Sequence, residues 1–323
     1  MDVRDQLPTP RRLDVSMADL REALAAPGCP DEGARGSLAD KLKLKAACDA
    51  EILRAAAAAL SLGPEAVDAA AMVRSIAITP QAAVYVSKEV GPSLCKALRR
   101  KEPQLVAWAL MALIRLAQFP DTHGLLRRAD AVQSLALFTR PQARRKSEVR
   151  LDLLASMGLA FLSETMRQEQ RPEICALVPL RLLPELVQLL CARLQMTSDE
   201  VVSSCVFCGM PVDYRPRFVA QSLAALCEAS AAHAAMAWQS NLPFVICEVL
   251  SGRCPNDAEA NLPFGSPDVV EMASRCRSAL LAHASKRSMA PPQVLADLKS
   301  APAAPKGTWA KRGDATRKVR SRL

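Results

Sequence analysis

Leu105 to Phe138, LVAWALMALIRLAQFPDTHGLLRRADAVQSLALF, holds two apolar helical patterns joined by a connector, and that order recurs elsewhere in the chain. Val106, Ala109, Leu110, Leu113, Leu116 and Ala117 fall at helical spacing and make one broad apolar face that needs neighbours to cover it. Pro120 and Asp121 stop this helix. A short helix is expected over His123 to Arg128, and a second apolar run, with Val132, Leu135 and Phe138 in phase, over Ala131 to Phe138.

The second pattern has partners in register. Val90-Gly91-Pro92-Ser93-Leu94 aligns with Ala131-Val132-Gln133-Ser134-Leu135, and the same place is filled by Leu182 to Leu186 and by Asn241 to Val245. Upstream of these copies lie Ala-rich or Leu-rich helices over Ala69 to Ala77, Leu105 to Ala117, Leu151 to Leu162 and Phe218 to Cys227. The first two copies are about 41 residues apart, within the range of repeats built from two or three helices. No strand pattern competes, and abundant Ala and Leu with few aromatics suit close helix packing, so the expected class is all-α.

The segment AWALMALIRLAQFPDTHGLLRRADAVQSLALF resembles an armadillo repeat, a long third helix followed by the first and second helices of the next unit. HEAT repeats give nearly the same text. The resemblance covers roughly Ser37 to Lys286 and implies a right-handed α-solenoid of degenerate armadillo/HEAT-like repeats. Three regions follow: a flexible arm over 1–36, the solenoid over 37–288, and a basic, disordered tail over 289–323. In the peptide-binding members similar to importin alpha, the third helix carries a Trp and, four residues on, an Asn. Here Trp108 matches the Trp, but Ala112, Gly158 and Ser222 occupy the Asn position, so that family's peptide ligand is not implied. By the same resemblance Trp108, Met111, Arg115, Met157, Phe161, Phe218 and Gln221 are expected to line a binding groove.

Charge is polarised along the chain. Lys96 to Arg150 contains twelve Lys or Arg against four Asp or Glu, and Lys306 to Arg322 seven against one, whereas Leu151 to Pro305 is net acidic. A basic rim is therefore expected at the turns between second and third helices, built from Arg99, Arg100, Lys101, Arg140, Arg144, Arg145 and Lys146. Such a rim fits a protein partner with an acidic surface, with RNA as the runner-up ligand.

Reactive constellations are missing from the pattern. His123, His233 and His283 lie far apart and outside any metal or nucleophile motif, and no Gly-rich phosphate loop appears. A non-enzymatic scaffold or adaptor without cofactor is the expectation. Cys205-Val206-Phe207-Cys208-Gly209 resembles half of a zinc knuckle, but a structural zinc takes four ligands and no second C-x-x-C exists, so two incidental cysteines are the favoured reading. Eleven Cys, an odd number set mostly in apolar helical patterns, point to a reducing intracellular setting, most simply the cytoplasm. No secretory leader is evident, and the best candidate membrane span is interrupted by Arg181, Pro184 and Glu185.

Overall fold

The computed structural model describes residues 46–62, 65–140, 151–194, 206–207, 210–211, 216–251, 267–284 and 292–301. They are almost entirely helical. In chain order the helices are α1 (Ala50–Leu62), α2 (Ala66–Ile76), α3 (Pro80–Ala97), α4 (Pro103–Ala117), α5 (His123–Arg128) and α6 (Ala131–Thr139), then α7 (Leu151–Glu164), α8 (Arg171–Cys175) and α9 (Leu183–Leu194). After these come α10 (Pro216–Ala229), α11 (Ala231–Gln239), α12 (Leu242–Ser251), α13 (Pro267–Ala284) and α14 (Pro292–Ser300). Within the insertion between α9 and α10, β1 (Val206–Phe207) pairs antiparallel with β2 (Met210–Pro211), Phe207 opposite Met210.

Helix starts follow local chemistry. Asp49 accepts hydrogen bonds from the Glu51 and Ile52 amides at 2.9 and 3.2 Å and so caps α1. Thr79 accepts from the Ala82 amide at 3.2 Å with Pro80 in the first turn of α3, and Pro103 opens α4 in the same way. Between α5 and α6 the chain turns through Asp130, whose φ of 63° is left-handed, a conformation that Asp tolerates better than most residues.

Packing runs between helices close in chain order. α2, α4, α7, α10 and α13 each pack on the next, and α1, α3, α6, α9 and α12 each lie against the helix of that row that follows them. One continuous apolar core threads both rows, from Ala46 to Ala301. Among the described residues no helix is long and apolar enough to cross a membrane.

The tail departs from expectation. Instead of disorder throughout 289–323, Pro292–Ser300 forms α14, which packs on α12 and α13 and buries Leu298 and Ala301. Arg277 donates from Nε to the Leu298 carbonyl and from Nη2 to the Lys299 carbonyl, both at 2.8 Å. A guanidinium at the last carbonyls closes a helix C-terminus that would otherwise be left to water. The basic end, Lys306 to Arg322, and the arm over 1–36 lie outside the described residues.

Candidate functional site

On α4, past the exposed Pro103 at its start, the residues that reach the surface form a single stripe, Gln104, Trp108, Arg115 and, just past the helix, Gln118, while the rest of the helix is buried. Met111 belongs to this stripe by spacing but is only 5% exposed. Trp108 is half-buried, and the Arg74 guanidinium of α2 lies 5.8 Å from its ring centroid, within cation–π range. Arg115 points back to the end of α2. Its Nε donates to the Ala77 carbonyl at 3.0 Å, Nη1 donates to Gln118 at 2.7 Å, and its guanidinium sits 5.3 Å from the Phe119 ring. Arg115 therefore closes the C-terminus of α2, and only part of its charge faces outward.

The continuation of the stripe is not open. Met157 and Phe161 are fully buried and Phe218 is 4% exposed, so these three, with Met111, are core residues and not groove residues. Phe161 and Phe218 meet edge to face, centroids 6.2 Å apart and planes at 73°. The aligned Asn position is also internal: Ala112 and Ser222 are buried, and a Cβ at Gly158 would lie 3.0 Å from Leu135 and 3.3 Å from Ile114. The physical reason lies in α7, LDLLASMGLAFLSE, which is apolar on every side and is packed against α4, α6, α8 and α10.

Where the stripe surfaces again it is charged. Arg275 of α13 donates from Nε and Nη2 to the two oxygens of Glu228 at 3.0 and 2.8 Å, and from Nη1 to Glu164 at 2.9 Å. Gln221 donates to the other Glu164 oxygen at 2.6 Å, and Arg171 stands 3.7 Å from Glu228. The hydrogen bonds that Arg275 donates to Glu228 and then to Glu164 outweigh the cost of burial and hold it more firmly in its charged form. The cluster joins the C-terminal end of α7 to α8, α10 and α13. Gln221 was legible as a member of the stripe; the four charged residues of the cluster were not, because Glu164, Arg171, Glu228 and Arg275 come from four separate helices.

At the turn between α3 and α4, Arg99 and Lys101 are exposed, whereas Arg100 donates to Glu102 at 2.6 Å and is spent within its own turn. Arg140 is exposed at the end of α6. Arg144, Arg145, Lys146, Cys205 and Cys208 lie outside the described residues. Among the described residues, no group of three or more His, Cys, Asp or Glu is placed to hold a metal ion.

No family model and no curated protein matches the chain. Among solved structures it is similar to one described as an engineered protein, at 14% identity and a TM-score of 0.44, covering 82% of this chain and 97% of that one.

The titratable groups in the interior are structural in their bonding. His123 donates from Nε2 to the Ala117 carbonyl at 2.7 Å. Its Nδ1, 2.9 Å from the Thr165 hydroxyl, is then the acceptor, and Arg127 donates to Thr165 at 3.0 Å. This chain of donors specifies the neutral imidazole, and burial pushes the His123 pKa down. His233 donates to the Val178 carbonyl at 2.9 Å and is lowered by burial in the same way. Burial raises the Cys95 thiol to about 11 and the Cys276 thiol to about 12, so both stay protonated at neutral pH and are poor nucleophiles.

Proposed function

We propose that the chain is a non-enzymatic scaffold, a right-handed α-solenoid of degenerate armadillo/HEAT-like repeats, that binds a protein partner. The observation that carries this reading is the order of packing. Each long helix lies against the next of its kind and against the shorter helix before it, as expected where stacked units share one core and expose a surface along their length. The contact surface we assign is smaller than a full groove. It comprises Trp108 with Arg74, the outward part of Arg115 and the exposed cations Arg99, Lys101 and Arg140, to which we add Arg144, Arg145 and Lys146 of the next stretch of sequence, outside the described residues. An acidic protein surface fits these cations, with Trp108 as the aromatic anchor that interfaces favour.

Affinity purification of the full chain at physiological salt, with and without nuclease, tests this. A stoichiometric protein that survives nuclease is expected. Changing Arg144, Arg145 and Lys146 together to Ser should weaken its retention, with the loss shrinking at high salt, and leave helix content unchanged. Recovery only of crosslinked RNA, released steeply by salt, would replace the scaffold with an RNA-binding reading.

A further inference from the structure

Beyond its first residue, Pro80, the exposed side of α3 is a straight stripe. Gln81, Tyr85, Lys88, Pro92, Lys96 and, just past the helix, Arg99 are its exposed residues, and at 100° per residue they fall within one narrow sector. α1, α2, α4, α5 and α6 surround the remainder of the helix, so this sector is the side that packing among the described residues leaves uncovered. From Tyr85 to Arg99 it runs about 21 Å at 1.5 Å per residue. Tyr85, 38% exposed, supplies an aromatic surface near one end, and Lys96 and Arg99 supply charge at the other.

Pro92 gives the middle of the stripe a special chemistry. It stands inside the helix without an N–H, so the Lys88 carbonyl lacks its usual donor four residues on. The stripe thus offers an aromatic ring, an apolar pyrrolidine and three cations in one line. Acidic groups nearby are few: Glu89, half-buried, lies 3.8 Å from Lys88, and Glu102 is held by Arg100.

We infer that this face of α3 is a docking surface for an acidic amphipathic helix of a partner protein. Its apolar residues would lie on Tyr85 and Pro92, and its carboxylates would face Lys88, Lys96 and Arg99. Helix-on-helix recognition reads positions three and four apart, which is the spacing of this stripe. A nucleic-acid strand fits less well. It carries a charge about every 3.4 Å, and along much of the stripe those charges would face Tyr85 and Pro92 with no cation opposite. The inference rests on the scaffold reading and names the class of partner for it.

The test uses the full chain and a fluorescein-labelled synthetic peptide of about sixteen residues, matched to the 21 Å stripe, with Leu on one helical face and Glu flanking it. A scrambled peptide of the same composition, a single-stranded RNA of similar length and phosphatidylserine vesicles serve as comparators. The ordered peptide should bind at least about tenfold more tightly than the scrambled one. Lys88→Glu, Lys96→Glu and Arg99→Glu together should lower its affinity at least about tenfold at physiological salt and less at high salt. Tyr85→Ala should lower it about fivefold, mainly through faster dissociation. Lys88, Lys96 and Arg99 are exposed, so an unchanged thermal transition is expected for the triple variant and a small fall for Tyr85→Ala, whose ring is partly buried, and Arg167→Glu with Lys299→Glu, exposed cations elsewhere, should leave binding intact. Equal binding of both peptides would overturn the inference. So would an equal loss from the control pair, or tighter binding of RNA or vesicles that the triple substitution removes. If the native partner is retained by the triple variant while the peptide fails to bind, this surface is wrong and the scaffold stands; if no protein partner is retained by the wild type, the scaffold itself falls.

Discussion

α4 and α7 occupy equivalent places in the row of long helices, yet they meet different surroundings. α4 keeps a stripe from Gln104 to Gln118 at the surface, whereas α7 is buried without interruption from Leu153 to Ser163. In α4 the polar residues at 104, 115 and 118 share one side, so that side remains in water. In α7 the only polar side chains between Asp152 and Glu164 are Ser156 and Ser163, which are short and bond to carbonyls of their own helix. Place in the row alone does not decide exposure. The side chains at that position do, and two helices that align in register can bear a surface and a core.

Replacing Phe161 by Ala should give the largest effect, a loss of about 3–5 kcal/mol in urea unfolding, because a fully buried ring leaves a cavity beside Phe218. Trp108→Ala, at the open helix, should cost only about 1–2 kcal/mol since the ring is already half in water. Equal costs for the two would erase the distinction between the helices. Gly158→Val comes next at about 1–3 kcal/mol, because the new methyl groups meet Leu135 and Ile114. A stabilised Gly158→Val protein would mean that α7 has an open side after all.

Arg275→Ala is expected to cost about 1–3 kcal/mol and to loosen α13 from α7, since Glu164 and Glu228 lose their shared cation. Hydrogen exchange should then quicken at the C-terminal end of α10 and in α13 but not in α2; uniform quickening would show that the cluster has no local role. The smallest effect concerns pH. Burial holds His123 below its ordinary pKa of 6.5, so the unfolded chain takes up a proton first as pH falls. Stability is therefore complete above that pH and declines as pH drops through it toward the lower folded value. His233 adds to the same slope. The double variant His123→Asn, His233→Asn should show a flatter dependence of the urea midpoint between pH 7 and 5, and an unchanged slope would place the proton uptake elsewhere.

Helix positions were largely legible. Periodicity and Pro placement located the long α4 and the short α5 and α6, because apolar spacing and helix stops are local properties. Exposure was not, for a definite reason: Met157 and Phe161 have the right spacing for a groove, but α7 is apolar all round and spacing then carries no direction. That uniform apolarity was itself visible and marks a helix enclosed by neighbours. α14 left a signal too, Pro292 at its start with Leu295 and Leu298 three apart, set against flanking prolines that read as tail. The Arg275 cluster left none, since Glu164 and Arg275 are 111 residues apart.

Carbonyls at the ends of many segments are closed by a neighbour. Arg115 reaches Ala77, Arg127 reaches Leu162, Thr139 reaches Leu177, His233 reaches Val178 and Arg277 reaches Leu298. Prising one helix from its neighbours would strip such closures and leave a bare carbonyl at each break. Pulled from its two ends, the helical core should therefore resist as a single mechanical element and lengthen in a few large jumps, not in a ladder of helix-sized steps.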